Sequence, residues 1–416
     1  MRIFLLDVNY DHSSTGKIVK DLETGLKEHG HHVLACYGRA VGALTSNAVR
    51  IANPFEVYGH AALTRLTGKT GGYSPFATQN IIKNIEIFRP DVVHLHELHG
   101  YYVNIGDLIE YLKKNNIATL WTFHCEFMYT GKCGHAHGCE QWKIECVRCP
   151  QLKDYPESWF LDRTNKMFHE KRAWFTGFNL LKIITPSHWL ANRVRQSFLA
   201  EKEIGVIYNG IDTGDIFTPK DASALRRQHH IATRHVVVTI APDLMSESKG
   251  GRWVLEVAAR LAAEDITFVM IGVSEPDRVQ AGNVIALPRV NDQKLLAHYY
   301  SMGDFFLLTS KKETFSLACA ESLACGTPII GFDSGAPTEV AGPGYGHFVD
   351  YADIDALSVV LLASLRDPSA FHNGAKCAEY ARSSFSKEAM IDSHLEAYRE
   401  LIDRSKELST GIATDD

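Results

Sequence analysis

Two glutamates eight residues apart, Glu313 and Glu321, have the spacing in this chain that best suits ligand chemistry. Residues 305–309 (FFLLT) ahead of them have the pattern of a buried parallel strand, and residues 316–324 that of a short helix ended by a glycine and a proline. Glu313 would then lie on the loop at the carboxyl end of the strand, and Glu321 on the following helix. Open α/β sheets bind their ligands at that edge.

The start of the predicted helix adds a feature that favours an anion. Helix-start N–H groups have no carbonyl partner within their helix, and here they would belong to Thr314, Phe315, Ser316 and Leu317. Two carboxylates beside an anion-binding helix start suit a ligand with both hydroxyls and phosphates, such as a nucleotide sugar. Glutamates at this spacing also occur on solvated helix faces, but the surrounding residues favour the functional interpretation.

Lys249 is a third candidate in the same half of the chain. It follows a predicted strand at residues 236–240 and precedes a predicted helix with one apolar face. Gly250 and Gly251 come directly after it, and glycines let a backbone approach a phosphate closely. A solvated lysine is the alternative.

The first half of the chain contains two weaker candidates. Gly16 closes the sequence SSTG between the first predicted strand and helix, where it could approach donor phosphates or an acceptor, although a plain turn explains it equally well. His124 ends the predicted strand at residues 119–124, where it could contact an acceptor or a sugar, or be structural. Strand alternation predicts that His94 and His96 point to one face.

Length and composition restrict the class of protein. A chain of 416 residues with 45% hydrophobic and 22% charged residues should form two or three soluble globular domains. A net charge of −6 argues against nucleic-acid binding. No apolar run reaches the roughly 18 residues that span a bilayer, and the start of the chain reads as a strand rather than a secretory signal. A cytoplasmic location is therefore expected.

Strand and helix patterns alternate along the whole chain, which predicts an α/β fold with parallel sheets. A turn sequence, NGID, interrupts the alternation at residues 209–212, and the alternation resumes at 236–240. We therefore predict one domain over residues 1–208, a second over 209–385 and a final helix over 386–408.

Five of the nine cysteines lie within residues 125–149. In a cytoplasmic chain such a cluster suggests a metal site or buried thiols before disulfides. Four thiolates can hold a structural zinc ion, with His135 or His137 as substitute ligands. Zinc, reduced thiols and disulfides all stay open, and the four candidate ligands are Cys133, Cys139, Cys146 and Cys149.

Residues 163–202 carry eight lysines or arginines, with Trp174, Phe175 and Phe178 among the interleaved aromatics. This composition suits contact with anionic lipid headgroups or with a lipid-linked pyrophosphate. A solvated helix face packed by aromatics is the alternative.

The sequences SKKETFSL at 310–317 and ESLACGTP at 321–328 resemble the Glu-x7-Glu signature of the retaining GT-B glycosyltransferases of family 4. NGID at 209–212 resembles the interdomain linker of that family. The cysteine segment resembles a narrower group, the bacterial colanic acid and capsular exopolysaccharide enzymes. The resemblance implies two Rossmann-like domains with parallel sheets that face one another across a cleft, and a last helix that crosses back to the N-terminal domain. The N-terminal domain, with the Cys-rich insertion 125–150, would be the acceptor side, and the C-terminal domain would bind the nucleotide-sugar donor.

The resemblance also implies an activity: a hexosyl group passes, with retention, from a nucleotide diphosphate donor to a glycan or to a polyprenyl-diphosphate-linked oligosaccharide. The setting would be exopolysaccharide, capsule or O-antigen biosynthesis, at the inner face of the cytoplasmic membrane. Lys249 and the amides of residues 314–317 would neutralise the leaving diphosphate, Glu313 would hold sugar hydroxyls, and Glu321 would hold the ribose.

This chain departs from the family pattern at one point. The family has Gly-Arg-Leu ahead of the lysine, whereas here the sequence is APDL, so an expected phosphate-binding arginine is absent. Arg252 and Arg289 are candidates to replace it. No Asp-x-Asp motif stands at a predicted strand end, so we expect catalysis without a divalent cation or other cofactor. The alternatives are a sugar-nucleotide epimerase of the same fold and a catalytically silent Cys-cluster metal or redox protein.

Overall fold

The computed structural model describes residues 1–39, 48–279 and 281–411, with no side chains described for 409–411. The chain forms two compact units. Unit 1 comprises Met1–Ile207 together with the chain from Met390 onward, and unit 2 comprises Tyr208–Ala389.

The described residues of unit 1 form a sheet of seven parallel strands. The strands are β1 (Arg2–Asp7), β2 (His32–Tyr37), β3 (Val49–Arg50), β4 (Val92–Leu95), β5 (Thr119–Thr122), β6 (Leu181–Thr185) and β7 (Ile204–Val206), in the order β3-β2-β1-β4-β5-β6-β7. Residues 3–6 of β1 are wholly buried, as expected for a central parallel strand whose two faces are both covered.

Helices connect the strands of unit 1 and cover the sheet. They are α1 (Ser13–Glu28), α2 (Pro54–Thr67), α3 (Pro75–Phe88), α4 (Ile105–Lys114), α5 (Thr164–Phe175) and α6 (His188–Arg195). The segment between β5 and α5 holds the cysteine cluster and, apart from two single 3₁₀ turns, is irregular. Its Trp142 is buried under the guanidinium of Arg193, and Arg193 also pairs with the buried Glu126 at 2.6 Å. The insertion is therefore anchored on α6.

In unit 2, the part of the chain that the structure describes forms a sheet of six parallel strands. These are β8 (His235–Ile240), β9 (Ile266–Ile271), β10 (Val284–Leu287), β11 (Phe305–Leu308), β12 (Ile329–Phe332) and β13 (Gly346–Val349), in the order β10-β9-β8-β11-β12-β13. Val236 and Val238 of β8 pack into one hydrophobic cluster and Val237 into another, so both faces of the sheet are buried. Its helices are α7 (Ser223–Gln228), α8 (Gly251–Arg260), α9 (Gln293–Met302), α10 (Leu317–Ala324), α11 (Pro337–Ala341), α12 (Ile354–Arg366) and α13 (Gly374–Phe385).

The last helix, α14 (Lys387–Gly411), packs in unit 1 from Met390 onward. A Cβ at Gly25 of α1 would lie 2.1 Å from Cδ1 of Ile391, so a larger residue at this position would have to displace the Ile391 side chain. The Tyr398 hydroxyl and His94 Nδ1 of β4 are 2.7 Å apart. Among the described residues, no helix combines the length and the apolar character needed to cross a membrane.

The interpretation of residues 163–202 as a lipid-contacting surface is wrong at its centre. Lys171 is fully buried, and its ammonium donates to the carbonyl oxygens of Phe127 and Thr130. Phe175 and Phe178 are also buried in the core of unit 1. These side chains fill the space beneath α5 and cannot reach a headgroup.

Candidate functional site

Lys249 and Glu313 meet in the structure. The Lys249 Nζ atom lies 2.6 Å from Glu313 Oε1, and both side chains are partly exposed. Lys249 follows β8 and Glu313 follows β11, and these strands are neighbours in the parallel sheet. Their carboxyl ends therefore share one edge, where the pair can meet a ligand.

The backbone around Lys249 is held closely against β11. The Thr309 hydroxyl donates to the Lys249 carbonyl at 3.0 Å. Gly250 has φ +70°, and a Cβ there would lie 2.3 Å from the Thr309 carbonyl oxygen. This position therefore requires glycine, both for its left-handed backbone and for lack of space.

The loop that carries Glu313 is fixed from both sides. The Glu313 N–H donates to the Ser334 carbonyl at 2.9 Å, and the Glu313 carbonyl accepts from the Ala336 N–H at 3.1 Å. Phe315 is buried against Tyr208 and Phe385, with ring centroids 6.0 and 5.6 Å away. Phe315 can therefore contribute to a ligand site only through its backbone.

Helix α10 begins at Leu317 after an N-cap, Ser316, whose backbone is left-handed with φ 82°. The Ser316 hydroxyl accepts from the Cys319 N–H at 3.4 Å. The first N–H groups of the helix have no intrahelical carbonyl partner, so this end attracts negative charge. Thr314 lies between Glu313 and this helix start.

Glu321 lies on α10, half-buried, and its carboxylate is oriented by a tyrosine. The hydroxyl of Tyr300, a buried residue of α9, donates to Glu321 Oε2 at 2.8 Å. Burial, and then the neighbouring carboxylate, raises the pKa of Tyr300 well above its usual value, so the hydroxyl keeps its proton. The sequence analysis did not identify Tyr300, because no local pattern links α9 to α10.

His124 belongs to unit 1 and follows β5. Its Nε2 lies 3.0 Å from His96 Nδ1, and the two rings stack at 5.3 Å. Burial lowers the pKa of His124 to about 3, so the ring is neutral near pH 7 and can exchange a hydrogen bond but not supply a charge. The His94 and His96 rings lie 4.0 Å apart on one side of the strand, as predicted.

The sequence analysis also did not identify a buried carboxylate near Gly16. Asp7, at the end of β1, accepts from the Asn9 N–H at 3.1 Å, the Thr15 hydroxyl at 3.1 Å and the Glu97 N–H at 3.0 Å. Burial nevertheless raises the pKa of Asp7 to about 6. A Cβ at Gly16 would come within 3.1 Å of the Asn9 and Tyr10 backbone, so close packing of α1 accounts for this glycine.

The four cysteines predicted as zinc ligands are free thiols within one segment. The Cys133 thiol donates to Gln151 Oε1 at 3.4 Å, and the Cys146 sulphur accepts from the Gly131 N–H at 3.3 Å. A hydrogen bond with Cys133 lowers the pKa of Cys149 to about 6. Within the described residues, no three of these four sulphurs lie within 4.8 Å of one another, and the zinc site stays a prediction.

Two family matches cover most of the chain. Residues 15–215 match "Glycosyltransferase Family 4", and residues 234–367 match "Glycosyl transferases group 1". The chain belongs to these glycosyltransferases. The predicted family is confirmed.

Known proteins resemble this glycosyltransferase in sequence and in fold. A putative colanic acid biosynthesis glycosyl transferase of Escherichia coli K12 is 26% identical, over 75% of this chain and 77% of the relative. A sucrose-phosphate synthase from Thermosynechococcus elongatus superposes with a TM-score of 0.72 at 19% identity, over 97% of this chain and 100% of that one. An Anabaena protein, HepE, solved with UDP-glucose, has a TM-score of 0.63 at 14% identity, over 96% and 100%. The predicted GT-B fold is confirmed.

Proposed function

We propose that this glycosyltransferase moves a hexose from a nucleoside diphosphate donor to a glycan acceptor, with unit 2 holding the donor and unit 1 the acceptor. The observation that carries the proposal is the contact between Lys249 and Glu313 at the carboxyl edge of the second sheet. A cation that could bind a diphosphate lies there beside a carboxylate that could bind sugar hydroxyls. Helix α10 begins four residues after Glu313.

The leaving diphosphate would replace Glu313 as the ion-pair partner of Lys249. In the donor-free arrangement the ammonium is neutralised by Glu313. A bound diphosphate offers it a stronger anion, and the N–H groups at the start of α10 add to the stabilisation of the charge that develops as the sugar departs. Glu313 can then accept hydrogen bonds from sugar hydroxyls.

Glu321 would recognise the nucleoside. A carboxylate can accept from both ribose hydroxyls, and the bond from Tyr300 holds one of its oxygens in place. In this scheme protein groups alone neutralise the diphosphate, so transfer proceeds without a divalent cation. Retention of the anomeric configuration is part of the proposal.

The relatives support the choice of donor and acceptor. HepE was solved with UDP-glucose, which favours a uridine diphosphate sugar as the first donor to test. The Escherichia coli relative is described as a colanic acid biosynthesis enzyme, which favours an acceptor from exopolysaccharide, capsule or O-antigen assembly, linked to a polyprenyl diphosphate. Such an acceptor would place this enzyme in the cytoplasm, in peripheral contact with the membrane.

An exposed apolar stripe on α2 supports this membrane contact. Phe55 and Tyr58 are 89% and 74% exposed, and Leu63 and Leu66 continue the stripe at helical spacing. Phe76, at the start of α3, is 75% exposed, and its N–H donates to Glu56 of α2 at 2.9 Å, which places it beside the stripe. Aromatic and aliphatic side chains arranged in this way suit the boundary between headgroups and acyl chains.

The test is transfer from radiolabelled UDP-sugars to lipid-linked acceptor extracts. Wild type should label the acceptor, whereas Lys249→Ala and Glu313→Ala should lose most of the transfer. Lys311→Ala and Glu247→Ala are the matched controls, because these residues form a neighbouring exposed pair at 3.2 Å. Equal activity in all four variants would disprove the proposed site. Donor conversion without any acceptor would indicate the epimerase.

A further inference from the structure

Three side chains of different chemistry converge at the carboxyl ends of β4 and β5 in unit 1. They are Glu97, His99 and Cys125. The Cys125 thiol lies 3.4 Å from Glu97 Oε2 and 3.6 Å from His99 Nε2, and His99 Nδ1 lies 3.1 Å from Glu97 Oε2. Glu97 is buried and the other two are nearly so.

We infer that Glu97, His99 and Cys125 form a binding site for a zinc-type divalent cation, separate from the four cysteines singled out in the sequence. A tetrahedral zinc ion bound at its usual distances to sulphur, nitrogen and oxygen separates those ligand atoms by about 3.3–3.6 Å. One ligand atom from each of the three residues lies within 4.8 Å of the others, and Cys125 Sγ and His99 Nδ1 lie 3.4 and 3.1 Å from Glu97 Oε2. With His99 Nδ1 as the ligand atom, two of the three separations are therefore close to their bound values before any ion enters.

The contact between His99 and Glu97 is close but is not a hydrogen bond. The buried His99 Nδ1 has no hydrogen-bond partner, although it lies 3.1 Å from Glu97 Oε2, because the geometry is unsuitable. Buried polar atoms are seldom left in this state without a missing partner. Two ligands of one cation show this arrangement, because their lone-pair atoms lie close together and share no proton.

Neighbouring residues hold the ligands in place. The Glu97 N–H donates to Asp7 at 3.0 Å, which positions the loop after β4. The His99 ring lies between Phe127 and Tyr155, with centroids 5.1 and 5.6 Å away. Ligands oriented by such partners bind metal more tightly than mobile ones.

The ligand types select the ion. A thiolate with an imidazole and a carboxylate suits Zn²⁺, whereas Mg²⁺ and Ca²⁺ prefer oxygen ligands alone. Among the described residues, no lysine or arginine forms an ion pair with Glu97, so no side-chain cation competes with a metal ion for its carboxyl group. The buried cation Lys171 donates instead to backbone carbonyls. Three protein ligands leave a fourth position for water or for an oxygen atom of a bound molecule.

Cobalt(II) binding to the full-length chain tests the site, because a cobalt–thiolate bond absorbs in the near ultraviolet. Wild type should bind an ion with this absorption, and Cys125→Ser should lose it. Glu97→Gln and His99→Asn should each weaken binding by more than about 100-fold, beyond the roughly 10- to 100-fold that loss of a merely orienting partner costs. Glu97→Gln is nearly isosteric. If circular dichroism shows that Cys125→Ser does not fold, the cobalt affinity of Glu97→Gln tests the site instead.

The matched control is the double variant Cys133→Ser, Cys149→Ser, which removes two thiols of the other cluster. The Cys125-dependent absorption should persist in this variant. Absence of cobalt and zinc binding by wild type, or binding that survives Cys125→Ser and Glu97→Gln but is lost in the double variant, would overturn the inference. The assay needs no sugar substrate, so its outcome does not depend on the proposed transferase activity.

Discussion

The ammonium of Lys249 lies 2.6 Å from the carboxylate of Glu313, although 64 residues separate them along the chain. The sheet order brings them together, because β8 and β11 are adjacent and parallel. Each charge compensates the other in the absence of a donor. A diphosphate that displaces Glu313 from Lys249 therefore gains a cation and at the same time releases a carboxylate toward the sugar.

The two glutamates should have separable roles. Glu321→Ala should weaken binding of both UDP and the donor about tenfold or more, through loss of a charge-assisted hydrogen bond worth roughly 1.5–3 kcal/mol. Glu313→Ala should lower turnover by a similar factor yet leave UDP affinity intact, because it leaves Lys249 available to the diphosphate. Lys249→Ala should impair both. Calorimetry with UDP and transfer assays measure these effects, and a reversed pattern for the two glutamates would reject the assigned roles.

Tyr300 should act on the nucleoside only through Glu321. Tyr300→Phe removes the hydroxyl that donates to the carboxylate, and we expect UDP to bind about three- to tenfold more weakly, since one hydrogen bond contributes about 1 kcal/mol. Tyr299→Phe is the control, because that hydroxyl pairs with His229 at 2.9 Å instead. In a Glu321→Ala background the Tyr300 change should have no further effect on affinity. An additive loss would show that Tyr300 acts independently.

Acid should destabilise unit 1 through His394 of α14. Burial lowers the pKa of His394 to about 4, whereas the unfolded chain has a value near 6.5, so the unfolded state takes up a proton first as the pH falls. The stabilisation that neutral His394 contributes is fully present above about pH 6.5 and is lost as the pH falls toward about 4. His394→Leu should reduce the drop in unfolding free energy between pH 7 and pH 5 by about 2 kcal/mol. Urea denaturation at both pH values measures it, and an unchanged drop would contradict the assignment.

The α2 stripe should bind membranes. The triple variant Phe55→Ser, Tyr58→Ser, Leu66→Ser should sediment less with anionic vesicles than wild type, because it removes three exposed apolar groups. A control with Ile144→Ser, Val147→Ser and Val359→Ser changes three exposed apolar residues elsewhere and should sediment as wild type does. UDP affinity should be the same in all three proteins. Equal loss in both variants would mean that general hydrophobicity, and not this stripe, causes the binding.

Local sequence patterns were enough to predict the elements that carry the donor-side residues. The apolar run at 305–309 corresponds to β11 (Phe305–Leu308), and the predicted helix at 316–324 corresponds to α10 (Leu317–Ala324). Such elements are readable because apolar periodicity and the glycine and proline that end them act over a few residues. The family signature lies in the same short stretch, so the positions of Glu313 and Glu321 on a loop and a helix followed directly.

Only the tertiary structure decided which side chains meet. Lys171 reads as a surface cation in a basic segment, but packing buries it beneath α5. Cys125 reads as a member of the cysteine cluster, yet its sulphur faces Glu97 and His99, because β4 and β5 are neighbours and their loops leave the same edge. Contacts of this kind depend on strand order and on the packing between elements distant in sequence, which no local periodicity encodes.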